Sequence, residues 1–247
     1  MKGTCFVAVL LLILGVPWVA GAGELHAITI GFSSNKPPYV FESEARGLEV
    51  DIVLGAARRG GLEVQPYFAP LERLHLLLAA RKIDAIATTN SRSDVHALYS
   101  APYITYHNYA VALAARNLKI AAIADLRPYS VSAFQRAREL LGSEFHAMAT
   151  ANPRYREEGS QVVRNLLLFS GRVDVIVGDK RIIDYFTRHP GVHVYTGQDL
   201  AWFDIFPPTD YQVGFADAAL RDAFDRGLEA FKADGSYAAV ERRYGAE

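Results

Sequence analysis

The chain has 247 residues, 51% of them hydrophobic and 21% charged, which is enough apolar material for one large or two modest cores and unlike a disordered chain. With 26 Lys and Arg against 27 Asp and Glu, it carries no basic surplus to displace the counterions of a phosphate backbone, so nucleic acid is not expected as a partner. The single cysteine, Cys5, excludes an intramolecular disulfide and cysteine-based zinc sites.

The first segment reads as an export signal. Lys2 precedes an uncharged stretch over residues 3–23, the apolar run Cys5–Val16 is followed by Pro17, and Ala20-Gly21-Ala22 supplies small residues for a peptidase. Residues 1–22 are therefore expected to be cleaved, leaving a soluble, periplasmic chain without cysteine. An uncleaved anchor is the alternative, disfavoured by Pro17, Gly15 and Gly21. A lipid anchor fits less well, because Cys5 opens the apolar run where a lipidated cysteine would close it.

Beyond the signal, strand and helix patterns alternate. Ala27–Phe32 reads as a strand broken by Ser33-Ser34-Asn35-Lys36-Pro37-Pro38, and Leu48–Arg59 as a helix stopped by Gly60-Gly61. A strand at Leu62–Phe68, a helix at Leu71–Ala80 and a strand at Ile83–Ala87 complete a βαβαβ run, the signature of a parallel sheet that collects ligands at its carboxyl ends. Tyr109–Ala114 reads as a buried strand. A second α/β unit follows: a strand at Ser130–Ala133 leading into a helix through Gly142, a helix at Ser160–Phe169, a strand at Val173–Val177 and a helix at Lys180–Arg188. Glu157-Glu158 is read as the opening of a helix, favouring its dipole. Tyr211–Phe215 reads as a strand, Leu220, Phe224, Leu228 and Phe231 mark an amphipathic helix that ends at Asp234-Gly235, and Tyr237–Tyr244 reads as a last short helix.

Two segments echo each other: Lys82-Ile83-Asp84-Ala85-Ile86-Ala87 and Arg172-Val173-Asp174-Val175-Ile176-Val177, each after an amphipathic helix. With Pro37-Pro38-Tyr39-Val40-Phe41, Gly47-Leu48-Glu49-Val50-Asp51-Ile52, Tyr99-Ser100-Ala101-Pro102-Tyr103, Gly178-Asp179 and Lys232-Ala233-Asp234-Gly235-Ser236-Tyr237, they make the chain resemble the bacterial extracellular solute-binding proteins of family 3, over nearly its whole mature length. The resemblance implies an α/β, two-lobe, type II periplasmic-binding fold, each lobe a mainly parallel sheet flanked by helices, with two crossover strands as the hinge. Crossings are expected near Asn108–Ala115 and Asp204–Gln212. The first lobe would then comprise residues 23–110 and a return over 208–247 with the C-terminal helices, and the second lobe residues 111–207.

For the site, the resemblance implies that Asp179 meets the ammonium of an amino-acid ligand, a role compatible with capping the helix Lys180–Arg188. Thr88 and Thr89 match hydroxyls and backbone groups used after the third strand, and Arg92 falls one place from the arginine that clamps a carboxylate; otherwise it is a solvated partner of Asp94. Where relatives carry a hydroxyl-rich turn at a helix start, this chain has Phe134, Gln135 and Arg136. Phe134 is either a stacking wall or core, and Arg136 either binds a second acidic group or lies on the solvent face. Lys36 replaces a flanking aromatic, and Tyr39 is either a site aromatic or a packed loop anchor. Together Lys36, Arg92 and Arg136 predict a cationic cleft for an anionic solute, an amino acid or small organic acid.

No nucleophile elbow, phosphate-binding loop or His-Glu-x-x-His motif occurs, and Pro190-Gly191 prevents His189 and His193 from sharing a helix face. A binder rather than an enzyme is expected, with no cofactor, as a monomer served by a small-molecule ligand and by ABC permease subunits or a membrane sensor. The alternatives are an enzyme on the same scaffold similar to cyclohexadienyl dehydratases, and an extracytoplasmic sensory binding protein.

Overall fold

The computed structural model describes residues 26–189 and 194–245; the segment read as an export signal, Pro190-Gly191 and His193 lie outside the described residues. The described chain opens with β1 (His26–Ser33), α1 (Leu48–Arg59), β2 (Leu62–Ala69), α2 (Leu71–Ala79) and β3 (Ala85–Thr89), then two short strands, β4 (Leu98–Tyr99) and β5 (Ile104–Tyr106). Next come β6 (Asn108–Leu113), β7 (Val131–Phe134), α3 (Ala137–Leu140), α4 (Ser143–Ala151) and β8 (Tyr155–Glu158). After these run α5 (Gln161–Phe169), β9 (Val175–Asp179), α6 (Lys180–Arg188), β10 (Leu200–Phe203), β11 (Thr209–Phe215), α7 (Ala218–Ala233) and α8 (Ser236–Arg243).

These elements form the expected α/β architecture of two sheets flanked by helices. The first sheet has the order β2-β1-β3-β11-β4 with β5 also on β11, and the second β10-β6-β9-β7-β8. Each has a parallel core, β2-β1-β3 or β8-β7-β9, extended by antiparallel strands. The chain passes from the first sheet to the second through His107, between β5 and β6, and returns through residues 204–208, between β10 and β11. No helix among the described residues is long and apolar enough to cross a membrane.

The echoed aspartates do the same work in both sheets. The Asp84 carboxylate accepts from the Thr29 N–H at 2.7 Å, tying the start of β3 to β1, and Asp174 accepts from the Ser130 N–H at 2.9 Å and its hydroxyl at 2.8 Å, tying β9 to β7. Because each aspartate anchors the joint, the regular ladder begins after it: β3 and β9 start at Ala85 and Val175, two residues later than the sequence pattern suggests.

Other departures have local causes. The helix expected to run through Gly142 is the single turn α3, and Gly142 at φ 95° separates it from α4. Glu157 and Glu158 lie on β8 and open no helix of their own, yet Glu157 does serve one, accepting from the Arg136 and Arg138 N–H groups at the start of α3. At the outer face of the first lobe α7 buries Phe224, Leu228 and Phe231 against α1, and Gly227 permits the approach, since a Cβ there would overlap the Ala56 carbonyl.

His75 fixes α2 to β3. Its Nδ1 lies 2.9 Å from the Leu71 carbonyl oxygen, which can only accept, so Nδ1 carries the proton and Nε2 accepts from the Thr89 hydroxyl at 3.1 Å. Burial pulls the His75 pKa down to about 4. An unfolded histidine titrates near ~6.5, so the unfolded state binds more protons across that window and stability falls as pH drops through it, by at most about 3 kcal/mol. Urea melts between about pH 7.5 and about pH 4 are expected to show this loss in the wild type and a shallower one in His75→Gln. Equal slopes would show that His75 does not carry it.

Candidate functional site

The carboxyl ends of β1, β3 and β9 meet a cavity between the lobes that encloses about 470 Å³ of atom-free space, mouth included. From the side of the first sheet it is lined by Lys36, Thr88 and Tyr106, and from the side of the second by Asn108, Gln135, Gln161, Arg164 and Asp179. Leu71, Phe134, Leu140 and Ile182 form its apolar wall. Among the described residues no three metal-ligating side chains converge.

The floor is a buried charge network centred on Glu49, in the first turn of α1. Its carboxylate accepts from Lys36 Nζ at 2.8 Å, from the Tyr106 hydroxyl at 2.7 Å and from the Thr88 hydroxyl, while Thr88 Oγ1 accepts from Lys36 at 2.7 Å. Burial pulls the Lys36 ammonium below its ordinary pKa, and Glu49 opposes that shift. Lys36 also lies 5.2 Å from the centre of the Tyr106 ring, which stacks on Tyr39 at 4.2 Å and meets Tyr211 edge-on. Thr88 adopts φ 57°, a left-handed conformation that costs a β-branched residue on the order of 1–3 kcal/mol. It is held there by the Tyr103 hydroxyl, which accepts from its N–H at 3.0 Å, and by the Glu49 network.

Asp179 ends β9 and caps α6. One carboxylate oxygen accepts from the Arg181 and Ile182 N–H groups at 2.9 and 3.3 Å, and the other from the His107 N–H at 3.1 Å. Burial pushes the carboxyl upward in pKa, and these donors pull it back.

Of the residues singled out in the sequence, Lys36, Thr88, Phe134, Gln135 and Asp179 line the cavity. Tyr39 lies beside it, lining the neighbouring groove with Asp179 and His107. Thr89 turns away to His75. Arg92 is exposed in a separate groove with Pro102, Pro208 and Asp210, because the turn closed by the Ser93 N–H on the Asn90 carbonyl faces it outward. Arg136 neither binds in the cavity nor faces solvent freely. Its guanidinium crosses between the lobes, donating to Glu72 at 3.0 Å and to the Ser93 carbonyl. The expected cationic cluster of Lys36, Arg92 and Arg136 is thus not assembled: one member is neutralised by Glu49, one is outside and one joins the lobes.

Glu49 and Arg164 are the charged groups that sequence reasoning missed. Glu49 stood inside a quoted motif, but at the start of a helix an acid reads as dipole compensation. Arg164 lies in α5, where Val162, Val163, Leu166 and Leu167 suggest a different buried face; its signal was an arginine and an asparagine set in an apolar run.

The Lys36–Glu49 pair sets a stability test. Lys36→Met leaves Glu49 buried without its cation and is expected to cost about 3–5 kcal/mol, most of it recovered in the Lys36→Met, Glu49→Leu double variant. Chemical denaturation reads both, and additive losses would dissolve the pair.

A comparison with protein families matches residues 28–247 to the model of Bacterial extracellular solute-binding proteins, family 3. None of the curated proteins compared matches the chain. Among solved structures, an ancestral arginine-binding protein bound to glutamine is 20% identical with a TM-score of 0.72, covering 90% of this chain and 98% of that one. The arginine-, lysine-, histidine-binding protein ArtJ from the thermophilic bacterium Geobacillus stearothermophilus is 15% identical, with a TM-score of 0.73 and coverage of 90% and 96%. A histidine kinase sensor domain with similarity to periplasmic binding proteins is 18% identical, with a TM-score of 0.74 and coverage of 90% and 96%. At these identities the likeness establishes a shared fold.

Proposed function

The chain belongs to the bacterial extracellular solute-binding proteins, family 3, and from that membership we propose that it is a periplasmic receptor for a small polar or anionic solute, an amino acid or a small organic acid. It holds the solute between its lobes, releases it unchanged and presents it to an ABC-type permease. After loss of residues 1–22, residues 23–110 and 208–247 form one lobe and 111–207 the other, in a monomer.

The observation that carries this reading is the cavity itself, with buried polar and charged groups supplied from both sides of the two chain crossings. Such an arrangement is costly in an empty protein and is repaid by a ligand that satisfies it. Asp179 supplies the anion for a ligand ammonium, Thr88 and Gln135 supply polar contacts, and Lys36 with Tyr39 shapes the wall. Arg92 and Thr89 take no direct part. Arg136 favours the closed arrangement through Glu72 and Ser93. The sensor-domain neighbour supports a second reading, in which the same capture reports to a membrane receptor; recovery of permease subunits or of a receptor with the loaded protein separates the two.

Mass spectrometry of small molecules released on denaturing the purified exported protein identifies the solute. At about 100 times its dissociation constant, that solute is expected to add about 2.7 kcal/mol of stability. Asp179→Asn is expected to weaken amino acids by at least about tenfold while sparing analogues without an ammonium. The absence of any stabilising amino acid or organic acid, with nothing released, would overturn solute capture. Arg136→Ala is expected to lower affinity by roughly tenfold, since closure loses its bridging contacts. Stopped-flow titration showing unchanged affinity would remove that role.

A further inference from the structure

Helix α5 buries a polar stripe in its first half. Val163 is 42% exposed, whereas Gln161, Arg164 and Asn165 are buried, Arg164 to 1%. Leu168 and Phe169 supply the apolar half of the same buried face, and the polar stripe beside them needs another cause. Resting on the solute-binding reading above, we propose that Arg164 is the specificity-determining cation of the cavity and that the solute presents a carboxylate to it.

Arg164 is among the residues lining the cavity, and its Nε and Nη2 are buried without a hydrogen-bond partner. A buried charge left in this state is expensive. The surrounding carboxylates hydrogen-bond to groups other than Arg164. Glu49 serves Lys36, Thr88 and Tyr106; Glu158 lies 3.2 Å from Arg156; Glu157 accepts from Arg136, Arg138 and Tyr155; Asp179 accepts from three backbone N–H groups. Among the described residues none forms an ion pair with Arg164. Burial draws its pKa down to about 10, with the charge of Asp179 opposing the shift, so it remains charged at neutral pH.

Room for the guanidinium is made by Gly178. A Cβ there would lie 2.7 Å from Nη1 and 2.9 Å from Cζ and Nη2. Gly178 is not among the glycines with positive φ, so no turn demands it, and its missing side chain serves the arginine. The first turn of α5 adds its N-terminal dipole on the same side, since Gln161 shares the lining. Asn108 Oδ1 and Gln161 Oε1 are also unpartnered in this cavity. The vacant donors of Arg164 and these vacant acceptors fit a solute with a carboxylate at one end and N–H or O–H groups beside it. A planar fork pairs with a planar carboxylate through two parallel bonds, and one cation balances one negative charge.

The test is isothermal titration of the intact exported protein with the standard amino acids, succinate and their primary carboxamides. At least one carboxylate is expected to bind, its carboxamide to bind far more weakly, and Arg164→Met to cost the carboxylate about 100-fold while leaving the carboxamide unchanged. Arg164→Met replaces an unpartnered charge with an apolar group and is expected to melt at or above the wild-type temperature. Gly178→Ala keeps the charge but displaces the guanidinium, and is expected to lose the same discrimination. If Arg164→Met does not fold, Gly178→Ala decides. Carboxylate affinity within about threefold of wild type in either folded variant overturns the inference alone, as does lost binding accompanied by a large fall in melting temperature in both, which would mark a structural arginine. No binding of any probe to the wild type, with no released solute, overturns solute capture and this inference together.

Discussion

A lysine taken out of water must meet an anion, and Lys36 meets Glu49. That pair decides what the rest of the cavity can do. Glu49 is wholly buried because α1 begins directly beneath the loop that carries Lys36, and the Thr88 and Tyr106 hydroxyls complete its shell. The first lobe therefore presents a floor that is polar yet electrically closed. Uncompensated charge is left to the other side, where Asp179 and Arg164 stand without an ion pair between them.

The second lobe gives up packing quality to keep that asymmetry. Rotating α5 so that Arg164 and Asn165 face inward exposes Val163 and strands polar atoms in the interior. The left-handed backbone at Thr88 is a similar expenditure in the first lobe. Both departures lie at the cavity, and Thr88 is the only β-branched residue among the described residues held at positive φ, a pattern expected where structure is shaped for a ligand.

Much of the fold was legible because parallel sheets with covering helices impose strong periodicity. The βαβ runs, the amphipathic α7 and the paired Asp84 and Asp174 joints stand in the sequence as patterns of apolar spacing and repetition. The two-residue strand β4, the three-residue β5 and the short β10 do not, since so few residues carry no period and are placed only by neighbours distant in the chain. The site was legible where chemistry follows chain position, as at Asp179, which ends a strand and starts a helix. It was not legible where partners decide the outcome. Arg92 and Arg136 had suitable chemistry, but a turn at Asn90 and the Glu72 carboxylate determined their use. Arg164 was concealed by apolar neighbours that suggested another buried face.

One peptide ties these parts together. His107 is the single residue between β5 and β6, so the outward passage of the chain bends there. Its N–H donates to the Asp179 carboxylate and its carbonyl accepts from the Lys180 N–H, so both of its backbone groups are clamped by the residues that end β9 and begin α6. A pivot held in this way is not a free joint. Rotation of one lobe against the other must either carry the Asp179 carboxylate with it or break the hydrogen bond that orients it. The carboxylate lining the cavity and the peptide at the crossing are thus one hydrogen-bonded unit, in which a displacement of either is passed directly to the other.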